Sequence, residues 1–181
     1  MRVSGGTGKG RTLRVPAGAG VRPTSDKVRQ ALFNILGDRV PGAIFLDLFA
    51  GAGGIGIEAL SRGAEQVVFV DSSQDSLSVI RKNIEIVGFG VHARVVAMKA
   101  EAFLKRQTAP FDIIFLDPPY KAELLPILEG IAGSGILKQD GIVIAEHFKK
   151  QPSPAQAGQL LLSREAVYGD TVLAFYRKGQ P

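Results

Sequence analysis

The chain has 181 residues, of which 45% are hydrophobic and 22% are charged, which is enough apolar material for the core of one soluble domain. It contains no cysteine, so disulfide bonds and cysteine–zinc sites are excluded. The polar, glycine-rich start lacks the apolar segment of a secretory signal, and no apolar run reaches the roughly 18 residues of a membrane span. These features predict a cytoplasmic protein without a membrane anchor.

The net charge of +5 is concentrated at the start of the chain, because residues 1–30 hold seven basic residues and one acid. A basic arm on a nearly neutral body is typical of a protein that binds a polyanion. A mobile, solvated tail would have the same composition. The candidate nucleic-acid contacts within this arm are Arg2, Lys9, Arg11 and Arg14.

Residues 1–22 predict a short hairpin, with strands at 2–4 and 12–15 and several glycines between them. The Gly8–Lys9 pair suggests a phosphate-binding P-loop. That motif fails because Val3 and Gly10 stand where it requires glycine and Ser or Thr. We therefore divide the chain into an arm, residues 1–22, and a main domain, residues 23–181.

The main domain begins with a helix that Thr24 or Ser25 caps and that ends near residue 36. Strands and helices then alternate. Strands are predicted at 43–48, 66–71, 93–97, 111–116 and 141–146, and helices at 54–62, from Ser72 or Ser73 to 87, at 100–105 and at 122–130. This alternation predicts a doubly wound α/β sheet. Two final strands, 160–166 and 172–177, form a hairpin that introduces one antiparallel strand.

The first candidate site lies where the strand at 43–48 turns into a helix. Gly51, Gly53 and Gly56 fit the spacing G-x-G-x-x-G, which lets the backbone turn tightly and approach a ligand. Asp71 ends the next strand, where its carboxylate can accept hydrogen bonds from both hydroxyls of an adenosine ribose. The pattern therefore predicts a cofactor that contains adenosine.

Two cofactors are compatible with this loop, a dinucleotide and S-adenosylmethionine. Asp47 favours the second, because its carboxylate would attract a cationic amino group and repel a pyrophosphate. The predicted contacts at these two strand ends are Asp47, Phe49, Ala50, Gly51, Gly53, Gly56, Asp71 and Ser72. No cluster of residues has the spacing of metal ligands, so no metal is expected.

The second candidate site is the run Asp117-Pro118-Pro119-Tyr120, directly after the strand at 111–116. Two prolines fix the backbone and remove two donors, which leaves the Asp117 carboxylate and the Pro118 carbonyl as acceptors for an exocyclic amino group. Tyr120 can stack on a base. The run predicts methyl transfer to an amino nitrogen of a nucleic-acid base, with Asp117 holding the amine and helping to remove its proton.

Two weaker candidate positions lie elsewhere in the main domain. Glu58, on the helix after the glycine loop, has the pattern of a plain surface acid. Glu146 and His147 end a strand at the same sheet edge as the two sites, so we expect them to line the substrate cleft.

Together these motifs resemble the bacterial RsmD-type methyltransferases, which act on guanine N2 of small-subunit (16S) ribosomal RNA. The resembling stretches are residues 5–7 with 10–11, 22–24 with 26–29, 47–51, 58–64, 117–120 and 168–171. The resemblance implies a class I (Rossmann-like) methyltransferase fold with a seven-stranded, mostly parallel sheet whose last strand is antiparallel. It also implies an arm that grips RNA, with Arg22, Thr24 and Arg29 near the RNA or the cleft. We expect a monomer that acts on an assembling small subunit.

One position departs from the pattern of many methyltransferases, which place an acid or Asn after the third strand to hold the adenine amine. Lys99 stands there in this chain. The backbone of Ala100, or Glu101, is then the candidate for holding the adenine.

Other functions remain open at this point. A DNA adenine-N6 methyltransferase would use the same acceptor chemistry, but it usually needs an added recognition domain. A protein-amide methyltransferase would be expected to carry Asn in place of Asp117. A nicotinamide oxidoreductase would not explain the Asp-Pro-Pro-Tyr run, and a non-catalytic RNA-binding protein would leave both motifs without a role.

Overall fold

The computed structural model describes residues 1–16 and 24–179. Its helices are α1 Asp26–Leu36, α2 Gly54–Ser61, α3 Gln74–Val87, α4 Ala100–Arg106 and α5 Leu124–Ser134. Its strands are β1 Ile44–Leu48, β2 Gln66–Asp71, β3 Ala93–Ala97, β4 Phe111–Leu116, β5 Leu137–Phe148, β6 Gln156–Ala157, β7 Leu160–Tyr168 and β8 Thr171–Lys178. Within the described ranges, no helix is both long enough and apolar enough to cross a lipid bilayer.

The eight strands form one sheet in the order β3-β2-β1-β4-β5-β8-β7-β6. Strands β1 to β5 pair in parallel, and β8 lies antiparallel between β5 and β7. The predicted α/β class and the antiparallel insertion are confirmed. The prediction of seven strands omitted β6, a two-residue strand on the edge of β7.

The chain reverses its direction of travel across the sheet between β1 and β4. It runs outward from β1 through β2 to β3, then returns to pair β4 with the other side of β1. In open α/β sheets, ligands bind outside the carboxyl ends of the strands at such a switch point. The topology therefore places any cofactor beside the ends of β1 and β4.

Two hydrophobic layers cover the sheet, because successive side chains of each buried strand point to opposite faces. Phe45, Phe69 and Phe115 pack with helices α1, α2 and α3. Leu46 and Ile114 pack with α4 and α5 on the other face. This double burial explains why the central strands have nearly continuous apolar sequences.

Helix boundaries follow local capping chemistry. The Ser25 hydroxyl accepts the Val28 N–H at the start of α1, and Ser73 caps α3 in the same way. Glycines with positive φ follow α1 and α3, at Gly37 and Gly88. These caps confirm the alternatives Ser25 and Ser73 over Thr24 and Ser72.

The predicted start of β5 at residue 141 is wrong, since the strand begins at Leu137. Phe111 pairs with Leu137 and Ile113 with Ile142, so the β5 side holds extra residues in a bulge. Lys138 in this bulge forms a 2.8 Å ion pair with Asp112. The polar bulge interrupts the apolar pattern, which is why the sequence placed the strand too late.

The described part of the arm packs against the main domain. Val3 and Leu13 are buried, and the Val3 N–H donates to the Arg11 carbonyl in a short antiparallel pairing. The tip docks on the last residue of α2, where the Gly8 N–H donates to the Ser61 hydroxyl at 2.8 Å. The chain doubles back as a hairpin would, but Arg2 and Thr12 form an isolated bridge, and the predicted strands at 2–4 and 12–15 are absent from the described residues. For residues 1–16 the alternative of a mobile tail is wrong, because they pack on the main domain.

Candidate active site

A cleft of about 970 Å³ opens at the carboxyl ends of β1, β2, β4 and β5. Its walls include the glycine loop, Asp71, the Asp-Pro-Pro-Tyr run and the end of β5. The volume lies within the range of pockets for small ligands and cofactors. The topology therefore brings both sequence motifs to one cleft, although 66 residues separate Gly51 from Asp117.

The glycine loop is held in a strained turn. Phe49 has φ 65°, a left-handed conformation that bulky residues rarely adopt, and Gly51 follows with φ 55°. The Gly51 N–H donates to one oxygen of Asp71 at 2.8 Å, and the Ser73 N–H donates to the other at 2.8 Å. Asp71 thus ties the loop to the end of β2 while it lines the cleft.

Gly53 and Gly56, both predicted as cofactor contacts, do not line the cleft. Gly56 lies so close to the ring of Phe69 that a Cβ atom would collide with it. Gly53 caps α2 with φ 76°. These glycines allow the helix to approach the sheet, so their role is in packing.

Asp47 is buried on the inner wall of the cleft, with 2% of its surface exposed. One of its oxygens accepts the Gly56 N–H at 2.9 Å. Burial raises the pKa of Asp47 to about 7; the Gly56 N–H opposes this shift and the nearby Asp71 carboxylate adds to it. A cation bound beside Asp47 would favour its charged form.

The Asp-Pro-Pro-Tyr run lines the cleft beside Asp47, since it follows β4, the strand that pairs with β1. Asp117 and Pro118 are half-buried, and the Tyr120 ring is 67% exposed at the mouth of the cleft. The Tyr120 ring lies 5.5 Å from that of Phe148, centroid to centroid. Gln151 holds the turn in place by donating to the Tyr120 carbonyl at 3.0 Å. The structure thus adds Phe148 and Gln151, which sequence reasoning missed.

Asp117 and Glu146 are neighbours at the cleft. Leu116, the last residue of β4, pairs with Ala145 of β5, and Asp117 and Glu146 are the residues that follow this pair in the chain. Burial raises the pKa of Asp117 well above its usual value, and the Glu146 and Asp47 carboxylates raise it further. Glu146 and His147 both line the cleft, as the sequence predicted.

Glu58, expected to be a surface acid, is instead fully buried. Arg29 Nε lies 3.3 Å from one of its oxygens and Arg62 Nε lies 2.9 Å from the other. The N–H and hydroxyl of Ser4 also donate to this carboxylate. Glu58 therefore joins α1, α2 and the arm, a role that its sequence position does not reveal.

Arg29, predicted as an RNA contact, is only 1% exposed. Besides Glu58, its guanidinium contacts Asp26 and the Arg2 carbonyl, and these contacts leave Nη1 as a buried donor with no partner among the described residues. Because Arg29 lines the cleft, it can meet a small ligand there. Its burial contradicts direct contact with RNA.

The other predicted RNA contacts occupy different places. Arg2, Lys9, Arg11 and Arg14 have exposed side chains on the arm, outside the cleft. Thr24 lines the cleft, and Arg22 lies outside the described residues. The arm follows α2 along its length. Met1 packs on Gly54 at the start of the helix, and Gly8, at the tip of the arm, contacts Ser61 at its end. An eight-residue helix spans roughly 12 Å, which separates the tip from the cleft.

The segment after β3, where Lys99 replaces the acid or Asn of many methyltransferases, also lines the cleft. Lys99, Ala100 and Glu101 all line it at the start of α4. Ala100 is buried and Glu101 is exposed. Both predicted adenine contacts are therefore within reach of a ligand in the cleft.

Across the described ranges, no three His, Asp or Glu side chains are placed together to hold a metal ion.

The fold recurs in solved methyltransferase structures. The "Putative methyltransferase yhhF from Escherichia coli" superimposes with a TM-score of 0.87 at 34% identity, over 98% of this chain and 97% of that one. "SMU.776, a putative methyltransferase complexed with SAH" gives a TM-score of 0.64 at 20% identity over 83% and 48%. The molecule therefore has the class I methyltransferase fold.

Sequence comparison defines the family. The family model described as "Conserved hypothetical protein 95" matches residues 1–177. The "Putative rRNA methyltransferase YlbH" of Bacillus subtilis (strain 168) is 43% identical over 98% of this chain and 99% of its own length. "Ribosomal RNA small subunit methyltransferase D" of Escherichia coli (strain K12) is 34% identical over 98% and 90%. The chain belongs to this family, and the predicted resemblance to the RsmD-type methyltransferases is confirmed.

Proposed function

We propose that the protein transfers a methyl group from S-adenosylmethionine to the exocyclic N2 of a guanine in small-subunit (16S) ribosomal RNA. The observation that carries the proposal is the position of Asp117 at the switch point of the sheet, in the same cleft as the glycine loop and Asp71. The names of the family relatives support ribosomal RNA as the substrate class.

The cofactor is S-adenosylmethionine, and the cleft has a group suited to each of its ends. Asp71 can accept hydrogen bonds from the ribose hydroxyls, and Asp47 faces the cleft as an acid for the cationic amino group. An unpaired buried donor costs about 1–3 kcal/mol, so Arg29 Nη1 needs an acceptor. We propose that it binds the carboxylate of the cofactor. Ala100 and Glu101 remain the proposed adenine contacts.

Asp117 and Pro118 would act on the acceptor amine. S-adenosylmethionine supplies a methyl group bonded to a positively charged sulfur. We propose that the Asp117 carboxylate and the Pro118 carbonyl accept the two amine hydrogens, which aims the nitrogen lone pair at the methyl carbon. The cofactor would supply the methyl group to the nitrogen and keep the C–S electron pair on its sulfur, and Asp117 would accept the surplus amine proton. Its raised pKa makes Asp117 a better proton acceptor.

The arm, residues 1–22, is proposed to bind the RNA backbone through its exposed basic side chains. The exposed Tyr120, in contact with Phe148 at the mouth of the cleft, is proposed to stack on the target base. We also propose that the protein acts as a monomer in the cytoplasm, on a small subunit during its assembly.

The proposal is tested by replacing Asp117 with alanine. We expect methyl transfer to small-subunit RNA to fall at least about 100-fold, because both amine positioning and proton acceptance are lost. The affinity for S-adenosylmethionine should stay within a few-fold, measured by calorimetry. Glu129→Ala, which removes an exposed acid from α5, is the control. Full activity of Asp117→Ala would contradict the proposed role.

A further inference from the structure

Beside the proposed catalytic acid, the cleft holds a second carboxylate on the neighbouring strand. We propose that Glu146 determines specificity for guanine by accepting the N1–H of the target base, next to the amine that Asp117 holds. This inference rests on the proposed function, since it assumes that the base enters the cleft with its amine at Asp117.

Two observations place Glu146 beside Asp117. Leu116, the last residue of β4, pairs with Ala145 of β5, and Asp117 and Glu146 are the residues that follow this pair in the chain. Both residues line the cleft, and the Glu146 carboxylate is close enough to raise the pKa of Asp117. Parallel strands lie roughly 4.8 Å apart, and the N1 and N2 positions of guanine are also neighbouring atoms on one edge of the base. Two adjacent carboxylates can therefore meet two adjacent donors.

The chemistry of the bases favours guanine at such a pair. Guanine presents N1–H and the 2-amino group side by side, both as donors, whereas adenine presents an N1 acceptor beside its 6-amino group. Enzymes that act on a flipped base recognise this Watson–Crick edge by hydrogen bonding. A carboxylate that faces N1 would accept from guanine and would repel the lone pair of adenine.

Glu146 is held in place by a hydrogen bond from Thr24, which lies just before α1. The Thr24 hydroxyl donates to Glu146 Oε2 at 2.8 Å, and Glu146 is 9% exposed. This contact fixes one oxygen of the carboxylate at the lining of the cleft, which Thr24 and Glu146 share. Thr24 immediately precedes α1 and its cap, so a merely structural role for Glu146 would consist of anchoring that helix start.

The experiment uses synthetic RNA fragments that span the methylated guanosine, once mapped, with either guanine or 2-aminopurine at that position. 2-Aminopurine keeps the 2-amino group but has an unprotonated N1. We expect wild-type kcat/KM to favour guanine at least about 100-fold. In Glu146→Gln the amide can donate to N1, so the preference should fall at least tenfold, with faster turnover of 2-aminopurine.

Thr24→Val is the matched control, because it removes the hydrogen bond to Glu146 and keeps the carboxylate. It should retain most of the preference for guanine. The inference is overturned if wild-type enzyme methylates both bases equally well, if Glu146→Gln keeps the wild-type preference, or if Thr24→Val loses as much preference as Glu146→Gln. In those cases methylation of guanine N2 by the wild-type protein would still uphold the proposed function. Absence of any guanine methylation would overturn both.

Discussion

At the residue scale, the cleft brings together charged side chains whose properties depend on one another. Asp47, Asp117 and Glu146 lie close together at the cleft, and Arg29 lines the same space with one donor that has no partner among the described residues. The three carboxylates repel one another and destabilise the ligand-free protein. A cationic ligand would relieve this repulsion, which fits a sulfonium cofactor and gives the site a built-in preference for it.

Arg29 provides a test of how the cofactor is held. We expect the wild-type protein to bind decarboxylated S-adenosylmethionine at least about tenfold more weakly than S-adenosylmethionine, because the Nη1 contact is lost. Arg29→Gln should bind both ligands with nearly equal affinity, measured by calorimetry. Arg62→Gln, which also removes a partner of Glu58 but does not line the cleft, should keep the difference. Retention of the full difference in Arg29→Gln would place the carboxylate elsewhere.

Asp47 should make the stability of the ligand-free protein depend on pH. Its pKa is about 7 in the folded state against 3.8 for an exposed Asp, so between these values the folded state binds more protons than the unfolded one. The contribution of Asp47 to stability is therefore largest below pH 4 and is lost as the pH rises towards 7. Asp47→Asn should be more stable than wild type at pH 7 and lose that advantage near pH 4. Urea unfolding at both pH values measures this, and an advantage that does not change with pH would contradict the assigned pKa.

At the element scale, the strands and helices follow from the sequence more closely than the contacts between them. Every helix of the main domain and the strands β1 to β5, β7 and β8 were predicted, since their apolar periodicity and capping residues are local signals. The bulge at the start of β5, the edge strand β6 and the docking of the arm depend on partners distant in the chain. The same limit explains the wrong interpretation of Glu58, whose partners Arg29 and Ser4 precede it by 29 and 54 residues.

Glu58 joins three elements, and its removal should be costly. Glu58→Ala would leave Arg29 without its buried carboxylate partner, so that only the exposed Asp26 would remain as an acidic partner among the described residues. Breaking a buried ion pair typically costs about 3–5 kcal/mol. We expect a lower free energy of unfolding by about this amount, together with faster proteolysis of the arm. Glu85→Ala, an exposed acid on α3, should change stability by less than about 0.5 kcal/mol. Equal stability of the two variants would mean that Glu58 does not hold these elements together.

At the scale of the whole molecule, the described part of the arm reaches from the cleft along α2, because Met1 lines the cleft and packs on Gly54 while the Gly8 N–H donates to Ser61. An RNA that contacts both Lys9 and Tyr120 must therefore extend along α2. The sequence predicted a basic arm and a cleft correctly. It did not predict their relative positions, because these depend on the packing of α2 against the sheet.

Neutralising Lys9, Arg11 and Arg14 together should weaken RNA binding. The slope of log affinity against log salt is negative, and each lost phosphate contact should bring it closer to zero by about 0.7 to 0.9, measured by fluorescence anisotropy. Replacement of Lys105, Arg106 and Arg177, exposed basic residues on α4 and β8, should change the slope less. An unchanged slope in the arm variant would mean that the arm does not contact phosphates.

The most direct test of the central proposal is methyl transfer from labelled S-adenosylmethionine to small ribosomal subunits taken from a strain that lacks this protein, followed by nucleoside analysis of the RNA. We predict label in N2-methylguanosine, which would establish the cofactor, the base and the acceptor atom together. Label in N6-methyladenosine would contradict the assignment of the base. The same assay is run with the protein-free RNA of those subunits. Absence of label from both the subunits and this RNA, with cofactor binding intact, would contradict ribosomal RNA as the substrate.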